Sequence, residues 1–126
     1  MAIEIQGLHH IGIHVENLAT SIAFYTKALG LKQLSRPKFD FEGAWFMLGT
    51  HQQLHLIAGR KNLVNAASRG NHFALQVKSI REVERHFKAL GVTHRTPKQR
   101  PDGIWQLFTT DPDGYFIELT ELRHNY

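Results

Sequence analysis

The stretch Leu8-His9-His10-Ile11-Gly12-Ile13-His14-Val15 sets Leu8, His10, Gly12 and His14 against His9, Ile11, Ile13 and Val15. Alternation of this kind has the two-residue period of a β-strand with one apolar face. Immediately downstream, Asn17 offers a helix N-cap. Leu18, Ile22, Tyr25 and Leu29 then fall on one helical stripe, which Gly30 can close as a C′ glycine. The reading is strand, helix, stop.

The same grammar returns in the second half. Asn71-His72-Phe73-Ala74-Leu75-Gln76-Val77 alternates, with Phe73, Leu75 and Val77 on the apolar face. Ser79 and Glu82 make a capping box, Ile80, Val83, Phe87 and Leu90 form the stripe, and Gly91 supplies the stop. Three shorter extended segments follow each helix. In the first half they are about 31–36, 44–48 and 53–58; in the second, about 92–96, 104–109 and 115–122. Asp111-Pro112-Asp113-Gly114 forms the turn before the last of them. Each half therefore reads β-α-β-β-β. The punctuation also keeps register, since Gly30 to Gly91 is 61 residues and Gly43 to Gly103 is 60. Internal repetition of this length marks a duplicated structural unit. The expected fold is α+β, a single domain over 1–126 made of two tandem βαβββ modules, at about 7–60 and 70–122, with the segment 59–70 as linker.

Laying one half over the other aligns candidate metal ligands. His10 maps to His72, 62 residues on, and His55 maps to Glu118, 63 residues on. Strand parity agrees: Ile11, Ile13 and Val15 oppose His10, and Leu54 and Leu56 oppose His55. Phe73, Leu75 and Val77 oppose His72, while Ile117 and Leu119 oppose Glu118. All four donors are expected to project from the face that the helices leave uncovered, into one cleft. Three imidazoles and a carboxylate suit Zn, Ni, Co, Mn or Fe as a divalent ion and suit Ca²⁺ poorly. His9 has the helix-side parity and is expected to be partly buried and hydrogen-bonded. His14 lies about 13 Å further along an extended strand than His10, at ~3.3 Å per residue, and is expected at the rim. His51, His86, His94 and His124 read as loop, helix-surface or tail residues.

Composition narrows the function classes. The 126 residues are enough for one domain with a core of its own. The absence of cysteine excludes disulfides, thiolate metal sites and cysteine nucleophiles, and suits a reducing, cytoplasmic setting. The N-terminal residues 1–7 do not read as a secretion signal, and no apolar run approaches the roughly 20 residues of a membrane span, so no membrane association is expected. A formal charge of +4 favours an anionic small molecule, but the scattered basic residues do not form a nucleic-acid-binding arm. Arg60, Lys61, Arg69, Arg95, Lys98 and Arg100 are candidates to attract such an anion. Phe41, Trp45, Phe46, Trp105 and Phe108 are candidate apolar walls, with Arg100 and Trp105 placed first among substrate-binding residues.

Several motifs together resemble the vicinal oxygen chelate superfamily, which contains glyoxalase I, bleomycin-resistance proteins, fosfomycin-inactivating thiol transferases, methylmalonyl-CoA epimerase and extradiol dioxygenases. They are His10-Ile11-Gly12-Ile13-His14-Val15, Ser21-Ile22-Ala23-Phe24-Tyr25 running to Leu29-Gly30-Leu31, Gly70-Asn71-His72-Phe73-Ala74, and Asp111-Pro112-Asp113-Gly114-Tyr115-Phe116-Ile117-Glu118-Leu119. The resemblance implies a curved, partly open mixed sheet around a metal cleft, commonly in a homodimer. It carries the family's three core ligands onto His10, His72 and Glu118. His55 falls where glyoxalase I has a further glutamate, so a neutral ligand replaces an anionic one. The implied activity is that of a metal-dependent lyase or isomerase of the glyoxalase type, acting on a 2-oxo or 2-hydroxy carbonyl compound with Glu118 as catalytic base. The alternatives are an Fe-dependent dioxygenase, a thiol transferase of the fosfomycin-resistance type and a non-catalytic drug-binding protein.

Overall fold

The computed structural model describes residues 2–122, so His124 lies outside the described residues. The chain falls into two compact units, Met1–Lys61 and Asn62–Tyr126. In the first unit the order is β1 (His10–Val15), α1 (Leu18–Lys27), β2 (Gln33–Leu34), β3 (Gly43–Leu48) and β4 (Gln52–Ala58). The second repeats it with β5 (Phe73–Val77), α2 (Ile80–Leu90), β6 (Lys98–Gln99), β7 (Trp105–Thr110) and β8 (Phe116–Glu121). Both units are thus βαβββ and the fold is α+β.

The described strands form two four-stranded sheets rather than one continuous sheet, ordered β1-β4-β3-β2 and β5-β8-β7-β6. Each ladder joins strands of the same module. The sheets are mixed, because the first strand of each module runs parallel to its last while the other pairs are antiparallel. The chain must cross by way of the helix to make the parallel pair. The first and last strands, far apart in sequence, thereby become neighbours.

Local chemistry sets the helix ends. The Asn17 side chain accepts from the Thr20 N–H at 3.0 Å, and Ser79 Oγ accepts from the Glu82 N–H at 3.2 Å. Each satisfies one of the donors that a helix start leaves open. The Ile80 N–H is taken by a Glu121 carboxylate oxygen from β8 at 2.7 Å, which ties α2 to its sheet. Gly91 ends α2 at φ 70°, and Gly30 turns the chain after α1 at φ 65°, both in the left-handed region that glycine enters without penalty.

The buried stripe of α1 runs through Ser21, Tyr25 and Ala28, with Leu18, Ile22 and Leu29 only half-buried beside it. This displaces the expected stripe toward the small residues, which let the helix lie close on the sheet. In α2, Ile80 and Phe87 are buried, while Leu90 in the last turn is 52% exposed. Beneath α1 the core comprises Val15, Phe46, Leu54 and Leu56, and in the second unit Leu107, Ile117 and Leu119 accompany Phe87. Burying each such side chain stabilises by about 1.5–3 kcal/mol. Phe46, offered above as a wall for substrate, is a core residue because it shares the parity of Ala44 and Leu48.

The short second strands are less regular than the expected repeat of extended segments. Only Gln33–Leu34 remains of the segment at 31–36, which Pro37 follows. At 92–96 no strand forms: His94 makes one bridge to Thr109, Arg95 N–H donates to the Phe108 carbonyl, and pairing resumes after Pro97 as β6. Proline has no N–H to give to a ladder. Gly43 is needed for space, because a side chain there would overlap the Leu56 carbonyl oxygen and crowd the Arg36 guanidinium. No described helix is long and apolar enough to cross a membrane.

Candidate functional site

Strand parity holds along β1 and β4. Ile13, Val15, Leu54 and Leu56 are buried, whereas His10, Gly12 and His14 are exposed and His55 is half-buried on the other face. In the parallel register Gly12 stands beside His55, which puts His10 one pleat away on the neighbouring strand. The His10 and His55 rings stack with centroids 4.1 Å apart and planes 18° apart. On its other side His55 stacks on the Trp45 indole, at 4.2 Å and 6°. The imidazole is therefore held between two rings. Its Nε2 lies 2.8 Å from the Gln53 carboxamide oxygen, which can only accept, so Nε2 donates and Nδ1 keeps the lone pair.

Burial pushes the His55 pKa below its ordinary value, and the charges of His10, His9 and Arg36 push it in the same direction. A neutral imidazole is the form that binds metal. The shift also makes a stability prediction. The folded chain resists a proton that the unfolded chain accepts, so stability of the metal-free protein falls as pH drops below the ordinary value of 6.5. Denaturant midpoints measured from pH 7.5 to pH 5.5 should fall more for the native chain than for His55→Gln. Parallel curves would remove His55 as the cause.

The second unit repeats the arrangement with different chemistry. Ala74 stands beside Glu118 in the β5–β8 register, and His72 immediately precedes β5. Glu118 is buried at 8% exposure although it is a carboxylate. Its Oε1 lies 3.2 Å from His72 Nε2. The other nitrogen of that ring, Nδ1, lies 3.0 Å from the Gly70 carbonyl oxygen, which can only accept, so Nδ1 carries the proton. In the neutral ring Nε2 then turns a lone pair toward a carboxylate oxygen. Two acceptors at this separation repel unless a cation lies between them, either a proton or a metal ion. A backbone carbonyl holding the far N–H of a histidine is also the usual support for a metal-binding imidazole. The separation of 3.2 Å matches the spacing of two adjacent donors, each about 2.0–2.2 Å from one ion. The donor chemistry of the pair fits a divalent transition metal.

Among the described residues no group of three or more His, Asp or Glu side chains is placed to hold a metal ion. Each unit instead brings together one pair of the expected ligands, His10 with His55 and His72 with Glu118. Behind the second pair, Asp111 braces β8: its Oδ1 accepts from the N–H groups of Asp113 and Tyr115, each at 2.9 Å, in the turn that leads into the strand.

The candidate aromatic residues separate by face. Trp45 stands opposite His55 and Phe108 opposite Glu118 in equivalent registers, with the Phe108 ring edge-on to His72 at 5.5 Å. Trp105 shares the parity of buried Leu107 and Thr109. It lines a pocket of about 410 Å³ with Ser79, Ile80, Arg81 and Glu84 of α2, on the face of its sheet away from Glu118. Arg100 forms an ion pair with Asp102 in the β6–β7 turn. Parity applied to β3 and β7, as it was to the ligand strands, would have ranked Trp45 and Phe108 above Trp105. Of the remaining histidines, His9 is exposed rather than partly buried, because β1 begins only at His10, and its Nδ1 lies 2.9 Å from that of His10. His14 Nε2 bonds the Ala58 carbonyl. His51 sits in the β3–β4 turn and His86 on the surface of α2, while His94 is half-buried with its ring 5.6 Å from Phe87.

The duplicated βαβββ unit is shared with a known class of proteins. The chain belongs to the glyoxalase/bleomycin resistance protein/dioxygenase superfamily, whose model matches residues 7–119. Among its relatives, Glyoxylase I 4 of Arabidopsis thaliana is 30% identical over 93% of this chain and 71% of its own length. Lactoylglutathione lyase of Salmonella typhimurium is 32% identical over 92% of this chain and 93% of its own. Among solved structures, a putative glyoxalase family protein from Bacillus anthracis superposes with a TM-score of 0.82 at 26% identity, covering 98% of this chain and all of that one.

Proposed function

We propose that this chain is a metal-dependent lyase or isomerase of the glyoxalase type, acting on a small molecule that carries a 2-oxo or 2-hydroxy carbonyl group. The observation that carries the reading is the His72–Glu118 contact, in which a buried carboxylate lies 3.2 Å from an imidazole nitrogen whose ring is held by a backbone carbonyl, an arrangement that a metal ion can bridge in place of a proton. In this reading His10, His55, His72 and Glu118 are the ligands of a divalent ion of Zn, Ni, Co, Mn or Fe. Such an ion, when bound, would polarise the substrate carbonyl and acidify the adjacent C–H.

The remaining work falls to the chain. Glu118 is the one carboxylate among the four donors, so it is the base that takes the proton from the carbon beside the carbonyl and returns it to the neighbouring carbon. Its burial keeps competing water away from the transfer. Gln53 and the two flanking rings fix the plane of His55, and the Gly70 carbonyl fixes the tautomer of His72. The names of the two curated relatives, a glyoxylase and a lactoylglutathione lyase, favour this reaction class over ring cleavage or drug sequestration.

Metal reconstitution tests the proposal. Protein stripped with a chelator should take up one equivalent per chain of at least one of these ions, melt at higher temperature as the ion saturates it, and isomerise the thiol adduct of a 2-oxoaldehyde only when loaded. A chain that binds none of the five ions, with melting unaffected by them, would overturn the reading.

A further inference from the structure

The β2–β3 loop holds two large aromatic side chains in solvent, with Phe39 43% and Phe41 45% exposed. Their rings stack on each other at 5.2 Å, and the Arg36 guanidinium carbon lies 4.8 Å from the centre of both. Arg36 Nη2 also donates to the Phe41 carbonyl at 2.9 Å, and its guanidinium packs on the bare backbone of Gly43. These contacts hold the loop in shape with its rings outward. Cation–π contacts of this kind contribute about 0.5–1 kcal/mol each at exposed sites.

The pair is not isolated. Phe39 lies 6.0 Å from Trp45, Trp45 stacks on His55 at 4.2 Å, and His55 stacks on His10 at 4.1 Å. One row of rings thus runs from the candidate metal ligands to the exposed loop. A three-carbon substrate with its oxygens at His10 and His55 would leave the outer half of that row unused.

We propose that Trp45 and Phe39 are specificity-determining residues, and that the substrate carries an aryl group which packs against the edges these stacked rings leave open while its carbonyl end is held at the histidines. The inference rests on the ligand assignment proposed above and names the substrate class of that same site. An aryl group suits the row better than an alkyl chain, since its face can meet the edges of rings whose own faces are stacked together, and edge-to-face pairs are worth about 0.5–1.5 kcal/mol beyond the area they bury. The guanidinium beside the row selects against a cation, so the substrate is neutral or anionic.

Two 2-oxo acids that differ only in the tail, phenylglyoxylate and pyruvate, serve as probes. Their dissociation constants are read by tryptophan fluorescence and by NMR titration, on the full chain with and without one equivalent of Zn²⁺. Phenylglyoxylate should bind at least about tenfold more tightly, a difference of roughly 1.4 kcal/mol. Phe39→Ala and Trp45→Leu should each move the ratio toward one, and circular dichroism should show both variants folded. A ratio near one in the native chain overturns the inference, and so does undetectable binding of phenylglyoxylate. A ratio that Phe39→Ala leaves intact while sedimentation shows a loss of self-association also overturns it, by making the ring pair an interface between copies. An aryl preference in a chain that binds no metal sinks the metal reading and the anchoring of the carbonyl end at the histidines, and leaves the aryl contact with Trp45 and Phe39 standing. Metal uptake with no aryl preference does the reverse.

Discussion

Glu118→Gln should lower turnover of a 2-oxo carbonyl substrate by about 10²- to 10⁴-fold, the usual contribution of a positioned general base. The amide has the volume of the carboxylate, so the tight surroundings of a side chain only 8% exposed are preserved. It cannot take up the substrate proton. Its N–H can also donate to His72 Nε2, which removes the clash of two acceptors and with it the demand for a cation at that contact. Metal affinity should therefore fall together with turnover, while the denaturant midpoint of the metal-free chain should hold or rise. Glu118→Asp, which keeps the charge on a shorter arm, should recover part of both losses. Unchanged kcat and unchanged metal content in the Gln variant would remove Glu118 from the mechanism.

The largest loss of stability is expected at Phe46. It is fully buried on β3, paired across the ladder with Leu54, and 6.1 Å from the equally buried Tyr25 ring on α1. Phe46→Ala removes the six carbons of the ring from between helix and sheet, where neighbours held by ladder hydrogen bonds cannot close the gap. The cost should be about 3–5 kcal/mol in chemical denaturation. Trp45 is the internal control. It is the larger residue and lies one position away, but the pleat turns it to the uncovered face against His55. Trp45→Ala leaves the packed interior filled and should cost much less. Equal losses at 45 and 46 would mean that both faces of β3 are packed alike.

The contrast between 45 and 46 shows what a strand discloses by itself. Parity is a property of the backbone, and it separates His10 from Ile11 and Glu118 from Ile117 with no knowledge of the partner strand. Caps are equally local: Asn17, Ser79, Gly30 and Gly91 act on groups within a few residues, so their roles could be read directly. Segments whose form depends on several weak tendencies were less legible. At 92–96 the place in the repeat argued for a strand, but Pro97 and the Val92 carbonyl, which accepts from His94 Nδ1, leave a single bridge. On α1, periodicity could not tell whether Ser21 and Ala28 or Ile22 and Leu29 would face the sheet, because closeness of approach decides that. Arg100 looked available for substrate until the turn brought Asp102 to it. Phe41 was legible only as a candidate apolar wall and Phe39 not at all, since nothing periodic governs a loop.

The identity of the donor pairs divides in the same way. From the sequence alone followed the duplicated βαβββ grammar, the equivalence of His10 with His72 and of His55 with Glu118, and the face of the strand from which each side chain projects. These depend on periods of two residues and on a repeat of about sixty. Only the tertiary structure decided that β1 lies directly beside β4 and β5 beside β8, which stacks His10 on His55 and sets His72 against Glu118. His10 and His55 are 45 residues apart, and His72 and Glu118 are 46. Over such separations contact is settled by backbone hydrogen bonds between strands and by burial beneath a crossing helix, and neither leaves a mark on the local order of residues.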